Sequence, residues 1–386
     1  MKISNFSKAL IIGTFLLTVG SFSLIAQEEN EPPIKLETIK FIKTTPVKSQ
    51  GRTGTCWAFA TTSFIETELI RMGKAEFDFS EMFFVRYAYE SKADLFIRYQ
   101  GMANFGPGGQ AHDVMNVILK NGMATEQAYP GIMYGGTGHN HRELNTILKA
   151  YVEGVLEAKQ ISPVWENGFS AILDTYLGPD PEKMKLLGKE LSPREIAANL
   201  EFKPDDYIEL SSFTHHPYYK SFVLEVPDNW SNDSYYNLPI DELMEIIVNA
   251  LKNGYSVCWD GDMSDSGFSH RKGLALVPEK DLKEMTTNEK DSVFTQPIIE
   301  KQITPEMRQE MFNNFKMTDD HLMHLTALFK NEKGNYFYLT KNSWGESSND
   351  YDGFLYMSDA FLRKGTVAIM VHRDAIPKKL LKKLDL

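Results

Sequence analysis

The sequence predicts an α+β fold in which most helices precede most strands. Helical periodicity dominates the first half of the chain from Cys56 onward. Strand-like runs dominate the last third, where two of them have the spacing of a hairpin. A chain of 386 residues is long enough to bury a large core divided between two subdomains.

Each predicted element has a local signal. A glycine-containing loop over 51–54 precedes a largely apolar helix that begins at Cys56 and is expected to stop at Gly73. A second loop over 106–109 precedes a helix expected to end near Gly122. The remaining elements are helices within 140–205 (one with a capping box and a proline over 192–195), a helix over 239–254, a strand over 255–260, one helix after Pro305 in the otherwise loop-like 262–320, and a hairpin of 322–330 with 336–342.

These elements divide the chain into four segments. An export signal is followed by a helical subdomain, a mainly helical insertion and a β-rich subdomain. The helical subdomain opens with an acidic, proline-containing lead over 28–40. In order, the segments are residues 1–26, 27–139, 140–235 and 236–386.

The first segment predicts export to the periplasm or secretion. Lys2 and Lys8 precede an apolar, charge-free run over 9–25, and Ala26 marks a cleavage point. The run is at the short end for a membrane span, so an uncleaved anchor is the alternative. After signal removal, no other segment is apolar enough to predict a membrane span.

Composition narrows the functional class. Apolar residues make up 42% and charged residues 24% of the chain, which is ordinary for a globular protein. The formal net charge of −11 argues against nucleic acid as the main partner, since phosphate binding needs a basic face. The lysine-rich stretch 378–383 is interpreted as a solvated helix face.

Cys56 is the candidate nucleophile. A thiol attacks as the thiolate, so its pKa must fall, and the N-terminus of a helix favours negative charge. Cys56 lies where a loop meets a helix, so this help is available. The alternative is a buried cysteine that behaves as a small hydrophobe. A bridge to Cys258, the other cysteine, would consume the nucleophile and is disfavoured.

The base must be chosen among nine histidines. His321 begins an apolar alternating face of a predicted strand. The edge of such a row of core-facing side chains is a suitable position for a catalytic base. His324 lies on the other face of this strand and is the alternative. His139 and His141 have the spacing of metal ligands, but no further Cys, His or Asp accompanies them. We therefore predict surface-loop histidines there, and no metal site.

Acyl transfer also needs donors for the oxyanion and a group that orients the imidazole. The backbone N–H of Cys56 is one candidate donor, and the side-chain amide of Gln50 at the far end of the loop is the other. Asn342, in a Lys-Asn-Ser-Trp-Gly stretch, is the candidate orienting residue.

Together these motifs resemble the papain family of cysteine peptidases. The resemblance is carried by Gln50…Gly54-Thr-Cys56-Trp-Ala-Phe59, Gly108-Gly109, His321 and Asn342-Ser-Trp344-Gly345. It implies a papain-like fold with Gln50 as oxyanion donor, Cys56 as nucleophile, His321 as acid and base, and Asn342 as the residue that orients the histidine. It also implies that Asn342 holds His321 beneath a tryptophan.

The same resemblance implies binding residues and a reaction. Gly108 and Gly109 match the family's wall for the substrate backbone, and Trp344 is a further candidate binding residue. Within the family, the chain is most similar to the bleomycin hydrolase and aminopeptidase C branch. The matching segments are 108–116, 236–241, 257–262, 321–327 and 371–377, together with the large helical insertion. This branch implies hydrolysis of a peptide substrate through a thioester acyl-enzyme, without metal or organic cofactor, and leaves a homo-oligomer open.

Several positions depart from that branch. Leu322 follows the histidine where a small residue is usual, and Thr53 replaces a cysteine that secreted relatives carry. The branch places a C-terminal carboxylate in its cleft, whereas here the chain stops soon after Pro377. Export is also unusual for the branch. An endopeptidase, a non-hydrolytic peptide-binding relative, and an amidohydrolase or acyltransferase are therefore the alternatives to an aminopeptidase.

Overall fold

Helices lie against both faces of one large mixed sheet in this computed structural model, which describes residues 34–386. The predicted export signal, residues 1–26, lies outside the described residues. The helices of the described part are α1 (Cys56–Arg71), α2 (Glu81–Arg98), α3 (Ala111–Asn121), α4 (Arg142–Glu157), α5 (Trp165–Leu177), α6 (Pro193–Leu200), α7 (Ile240–Lys252), α8 (Thr287–Val293), α9 (Pro305–Asn313), α10 (Asp359–Gly365) and α11 (Lys378–Leu384).

The strands are short except for one. In the described residues they are β1 (Leu36–Phe41), β2 (Met184–Leu186), β3 (Lys189–Leu191), β4 (Tyr207–Ser211), β5 (Ser221–Val223), β6 (Ser234–Asn237), β7 (Val257–Gly261), β8 (Phe268–Ser269), β9 (Leu274–Ala275), β10 (His321–Asn331), β11 (Tyr336–Lys341), β12 (Phe354–Ser358) and β13 (Thr366–His372). The main sheet runs in the order β5-β6-β4-β13-β7-β10-β11-β12-β9-β8. Its longest strand, β10, pairs antiparallel with β7 and β11, and its far end also pairs with β1.

The alternation of strand side chains divides the core into two layers. On one face of the sheet, Leu322 and Cys258 join the cluster that contains the buried side chains of α1. On the other face, Met323 and Trp259 join the cluster that contains α7. Because α1 is buried along nearly all its length, its first residue, Cys56, is held rigidly against the sheet.

Most of the predicted elements are confirmed. α1 stops two residues before Gly73, and α3 stops immediately before Gly122; both glycines have positive φ, +76° and +93°. The capping box at the start of α6 forms as predicted, with Ser192 and Glu195 bonding each other's backbone N–H. The predicted hairpin is β10 and β11. The α+β class is therefore confirmed.

Three segments differ from the prediction. The lead over 28–40 contains all but the last residue of β1. The side chains of β1 are mostly exposed and give no apolar alternation, and the strand is held by backbone pairing to β10. The insertion over 140–235 is helical only in its first part, since β4, β5 and β6 join the main sheet. The segment 262–320 contains α8 as well as the predicted helix α9. Short elements of this kind are too brief to show a period.

The C-terminal helix α11 has one apolar face and one charged face. In α11 the lysines are exposed, as predicted, while Leu380 and Leu384 are buried against α7.

Within residues 34–386, no helix has the length and hydropathy that crossing a bilayer requires. Cys56 and Cys258 are both free thiols.

Candidate active site

Cys56 is the first residue of α1, and the helix leaves its N-terminal amides available. Thr55 precedes the helix without a side-chain cap, so the first N–H groups can face a ligand. Burial raises the pKa of the Cys56 thiol to about 12, against a backbone hydrogen bond from Leu322 that lowers it. That hydrogen bond places the thiol at the backbone of Leu322, the neighbour of His321 in sequence.

His321 and Asn342 are hydrogen-bonded at the end of the β10–β11 hairpin. His321 Nε2 lies 2.7 Å from Asn342 Oδ1, and both residues are buried. Asn342 Oδ1 also accepts from the backbone N–H of Ser343, 2.7 Å away, so His321 Nε2 must be the donor. Burial lowers the pKa of His321, and the bond to Asn342 opposes this shift. The ring of Trp344 covers the pair, 5.3 Å from the His321 ring.

A second histidine stands behind Asn342. Asn342 Nδ2 donates to His270 Nδ1 at 3.2 Å, and His270 Nε2 lies 2.7 Å from Ser348 Oγ. Ser348 in turn donates to the carbonyl of Gly345. Burial, and then the charge of His321, lowers the pKa of His270 to about 4. The sequence gives no signal for His270, because it lies in a polar segment far from the other motifs.

Ser343 connects the orienting residue to the candidate oxyanion donor. The Ser343 hydroxyl donates to Gln50 Oε1 at 2.6 Å, and the Gln50 backbone N–H donates to the Ser343 carbonyl at 2.8 Å. Gln50 Nε2 donates one hydrogen to the Thr53 carbonyl at 2.9 Å. The amide orientation is thereby fixed, and its second N–H is left for a ligand. Ser343 was not among the predicted site residues.

His324, the alternative base, lies away from the thiol. Its Nδ1 is 2.9 Å from the Ser63 hydroxyl, and Ser63 is seven residues along α1 from Cys56, about 10 Å at 1.5 Å per residue. Burial and the neighbouring Lys341 hold the pKa of His324 well below its ordinary value. His324 therefore lies about two helical turns from Cys56, whereas His321 is the sequence neighbour of Leu322, whose backbone bonds the thiol.

Gly108 and Gly109 allow close packing at the candidate substrate wall. A Cβ on Gly109 would lie 2.6 Å from Asp113 Oδ2 and 3.0 Å from the Trp57 ring. A Cβ on Gly108 would lie 1.8 Å from Asp228 Oδ2, so the Asp228 carboxylate covers this glycine directly. Asp228 belongs to the end of the insertion, which therefore folds over the wall.

The prediction of surface-loop histidines at 139 and 141 is wrong for His141. His141 is fully buried, and neither of its ring nitrogens has a hydrogen-bond partner among the described residues. The backbone pairing of Arg52 with His139 and His141 draws this loop onto the loop that precedes Cys56. Burial lowers the pKa of both histidines to about 4.

A separate histidine pair has the spacing of metal ligands. Within the described part of the chain, the one group of three whose ligand atoms lie mutually within 4.8 Å is His215, His216 and Glu225. Each histidine has one ring nitrogen within hydrogen-bond distance of the Glu225 carboxylate.

The fold and the site together define a papain-like cysteine peptidase. A model of the Peptidase C1-like family matches residues 179–386, and a model of papain family cysteine proteases matches residues 36–165. The first match covers more than half of the chain. The chain therefore belongs to the Peptidase C1-like family and is a cysteine peptidase.

Relatives at low identity cover most of the chain. Human bleomycin hydrolase is 23% identical over 393 residues, which are 88% of this chain and 83% of the relative. Aminopeptidase C of Lactobacillus delbrueckii is 21% identical over 392 residues, 89% of this chain and 83% of the relative. The crystal structure of PepW from Lactobacillus rhamnosis superposes with a TM-score of 0.72 at 19% identity, covering 92% of this chain and 85% of that one. This likeness confirms the expected papain-like fold.

Proposed function

We propose that this peptidase cleaves through Cys56, His321 and Asn342 and forms a thioester acyl-enzyme. The observation that carries the proposal is the His321–Asn342 hydrogen bond of 2.7 Å, formed next to the residue whose backbone holds the Cys56 thiol. A nucleophile, a base and an orienting group in contact are the arrangement that nucleophilic acyl transfer requires.

The proposed reaction has two stages. Cys56 transfers its proton to His321 Nδ1, the nitrogen left free by Asn342, and attacks the scissile carbonyl. The resulting oxyanion accepts hydrogen bonds from the Cys56 backbone N–H and Gln50 Nε2. The imidazolium then protonates the leaving amine, so the C–N bond breaks and the thioester remains. In the second stage His321 removes a proton from water, which attacks the thioester and releases the acid and the free thiol.

Binding of the substrate is proposed to use the wall at Gly108 and Gly109. The carboxylate of Asp228 over Gly108 narrows the cleft on this side and supports a restriction to chain ends over internal cleavage. Aminopeptidase C among the relatives supports the same restriction. The proposed restriction to chain ends does not depend on the C-terminal segment 378–386. In this segment Leu384 packs into the α7 cluster and Lys383 pairs with Glu242.

Export by the first 26 residues is the proposed route to the periplasm or beyond. Edman sequencing of protein recovered from outside the cytoplasm should begin near Gln27. A start at Met1 would contradict cleavage of this segment.

The test of the reaction compares two cysteine variants. We expect Cys56→Ala to abolish hydrolysis of aminoacyl and peptidyl amide reporters, and Cys258→Ala, which removes the other thiol, to retain it. Iodoacetamide should inactivate the wild-type protein and label Cys56, whose modification is located by peptide mass mapping. Undiminished activity in Cys56→Ala would disprove the proposed mechanism and favour a peptide-binding role for the cleft.

A further inference from the structure

Two consecutive histidines and a glutamate come together at one edge of the main sheet. His215 and His216 lie in the segment between β4 and β5, and Glu225 follows shortly after β5. β5 is the terminal strand in the order of the sheet. One ligand atom from each of the three side chains lies within 4.8 Å of the other two. Two imidazoles and a carboxylate therefore share one small region beside an edge strand.

The hydrogen bonds of Gln309 fix the tautomer of His215. Gln309 Oε1 accepts from the backbone N–H groups of Thr214, at 2.6 Å, and of His215, at 3.2 Å. The Gln309 amide nitrogen donates to Asn313 Oδ1 at 2.8 Å, which agrees with this orientation of the amide. His215 Nδ1 lies 3.1 Å from the same Gln309 oxygen, so Nδ1 must carry the hydrogen. In the neutral imidazole of His215, Nε2 is then an acceptor only.

His215 Nε2 faces another acceptor. It lies 3.1 Å from Glu225 Oε2, and an ionised carboxylate has no hydrogen to donate. Two acceptors at this distance repel each other unless a proton or a metal cation lies between them. Among the described residues, the ion-pair contacts of Glu225 within 4.0 Å are with His215 and His216, and no lysine or arginine neutralises it. A cation between the ring nitrogen and the carboxylate would satisfy both acceptors.

His216 brings a second imidazole to the same carboxylate. His216 Nε2 lies 2.7 Å from Glu225 Oε1, so the two histidines approach different oxygens. Both rings are stacked on phenylalanines. The His215 and Phe312 centroids are 5.5 Å apart, and the His216 and Phe222 centroids are 4.4 Å apart. Stacking restricts rotation of the imidazoles, so the three ligand groups are held near one another before an ion binds.

We propose that His215 Nε2, His216 Nε2 and the Glu225 carboxylate bind one Zn²⁺ ion, with water completing the coordination. Imidazole nitrogens and carboxylate oxygens are ligands that zinc prefers, whereas Ca²⁺ and Mg²⁺ prefer sets of oxygen atoms. Tetrahedral zinc bonds of about 2.0–2.1 Å separate neighbouring ligand atoms by about 3.3 Å. The observed nitrogen–oxygen separations of 3.1 Å and 2.7 Å reach that value with small side-chain movements. All three side chains are partly exposed, so the ion can enter from solvent.

The contact between His215 and Gln309 supports this assignment. A histidine that binds a metal through one nitrogen commonly donates from the other to a nearby oxygen, and His215 Nδ1 donates to Gln309 Oε1. Gln309 belongs to α9 and is 9% exposed. A bound ion would join the segment before β5 to the residues after it and, through Gln309, would connect this edge of the sheet to α9. The role is structural and does not depend on the proposed reaction at Cys56.

The test measures zinc binding by calorimetry. The Cys56→Ala protein is used, because a free thiol can itself bind zinc, and bound metal is first removed with EDTA. Titration with zinc sulfate should show one Zn²⁺ per chain, and Ca²⁺ and Mg²⁺ should bind more weakly. At a zinc concentration about 100-fold above Kd, the melting temperature should rise by about 2–4 °C.

Two variants of the cluster and one control locate the site. His216→Gln and Glu225→Gln should each weaken zinc binding at least about tenfold and reduce the rise in melting temperature. Glu332→Gln, which removes an exposed carboxylate paired with Lys35, is the matched control and should bind zinc as the parent does.

Three outcomes would overturn the inference. The parent could fail to take up one equivalent of zinc, which would mean that a proton alone lies between His215 and Glu225. Zinc affinity could be unchanged in both cluster variants, or Ca²⁺ or Mg²⁺ could bind as tightly as Zn²⁺. Thermal unfolding without zinc checks that each variant is folded. Loss of hydrolysis in the intact protein would bear on the proposed function and not on this site.

Discussion

Asn342 and His270 form a hydrogen bond from Asn342 Nδ2 to His270 Nδ1, 3.2 Å long, so the side chain that holds the candidate catalytic imidazole is itself held by another imidazole. The direction of this bond requires an unprotonated Nδ1, and a pKa near 4 keeps His270 neutral above that pH. His270 therefore fixes the amide of Asn342 with its oxygen toward His321. We infer a positioning role for His270.

Replacing His270 should slow the chemical step more than it weakens binding. We expect His270→Leu to lower kcat about fivefold with KM little changed, because one neutral hydrogen bond contributes about 1 kcal/mol. His270→Asn, whose Oδ1 can occupy the place of Nδ1, should recover part of the loss. Steady-state kinetics on an aminoacyl amide check both variants. Equal kcat in the leucine variant and the wild type would show that Asn342 needs no such support.

Replacing His321 should affect hydrolysis, whereas replacing His324 should affect stability. His321→Ala removes the proposed base, so hydrolysis should fall by at least about 10²-fold with unfolding little changed. His324→Ala leaves a cavity beside Phe64 and removes the bond to Ser63, so it should lower the melting temperature while the folded protein stays active. Kinetics and thermal unfolding of the two variants are compared. Inactive but fully folded His324→Ala protein would contradict this assignment.

Replacing Gln50 and replacing Ser343 should both lower kcat, but by different factors. Gln50→Ala removes a proposed oxyanion donor, and kcat should fall about 10²–10³-fold. Ser343→Ala leaves the donor in place but frees its orientation, so a smaller loss in kcat is expected, with KM again little changed. The double variant should be no slower than Gln50→Ala alone. Additive losses would mean that Ser343 acts through another residue.

Asp260, a residue of β7 that is 3% exposed, should reduce the stability of the protein at neutral pH. Burial, and then the charge of Asp319, raises the pKa of Asp260 in the folded state. The favourable contribution of Asp260 to the free energy of unfolding is therefore fully present below the unfolded-state pKa of about 3.9. This contribution is lost as pH rises through the folded-state pKa. Asp260→Asn, which does not titrate, should raise the melting temperature at pH 7 by a few degrees and flatten its fall with pH. A lower melting temperature in this variant would show that the Asp260 carboxyl stabilises the folded protein.

The Cys56 thiol should become more reactive when Asp319, which lies two residues before β10 and raises the pKa of that thiol, loses its charge. Burial raises the pKa of Asp319 to about 7, so the wild-type carboxylate is charged above that pH. Removing the charge stabilises the thiolate, and alkylation of Asp319→Asn by iodoacetamide at pH 8 should be faster than that of the wild type. Below pH 6 the two rates should converge. Identical rates at pH 8 would show that Asp319 does not influence the thiol.

The local signals of the sequence predicted the long elements well. Gly73 and Gly122 mark helix ends because only positive φ suits those positions, and the capping box at Ser192 is satisfied within one turn. β1 was not predicted, because its side chains are mostly exposed and the strand exists through backbone pairing with β10. The same limit applies to β4–β6, which are too short to establish a period.

The sequence by itself determined the candidate nucleophile, oxyanion donor and orienting residue, since Cys56, Gln50 and Asn342 lie in short local motifs. It also determined the candidate base, since His321 begins an alternating strand pattern. Only the tertiary structure brought in His270, Ser343, Asp260 and Asp319. These residues come from loops and strand ends far apart in the chain, and no periodicity relates them. Their hydrogen bonds, and the pKa shifts that burial causes, arise only when these segments are packed together.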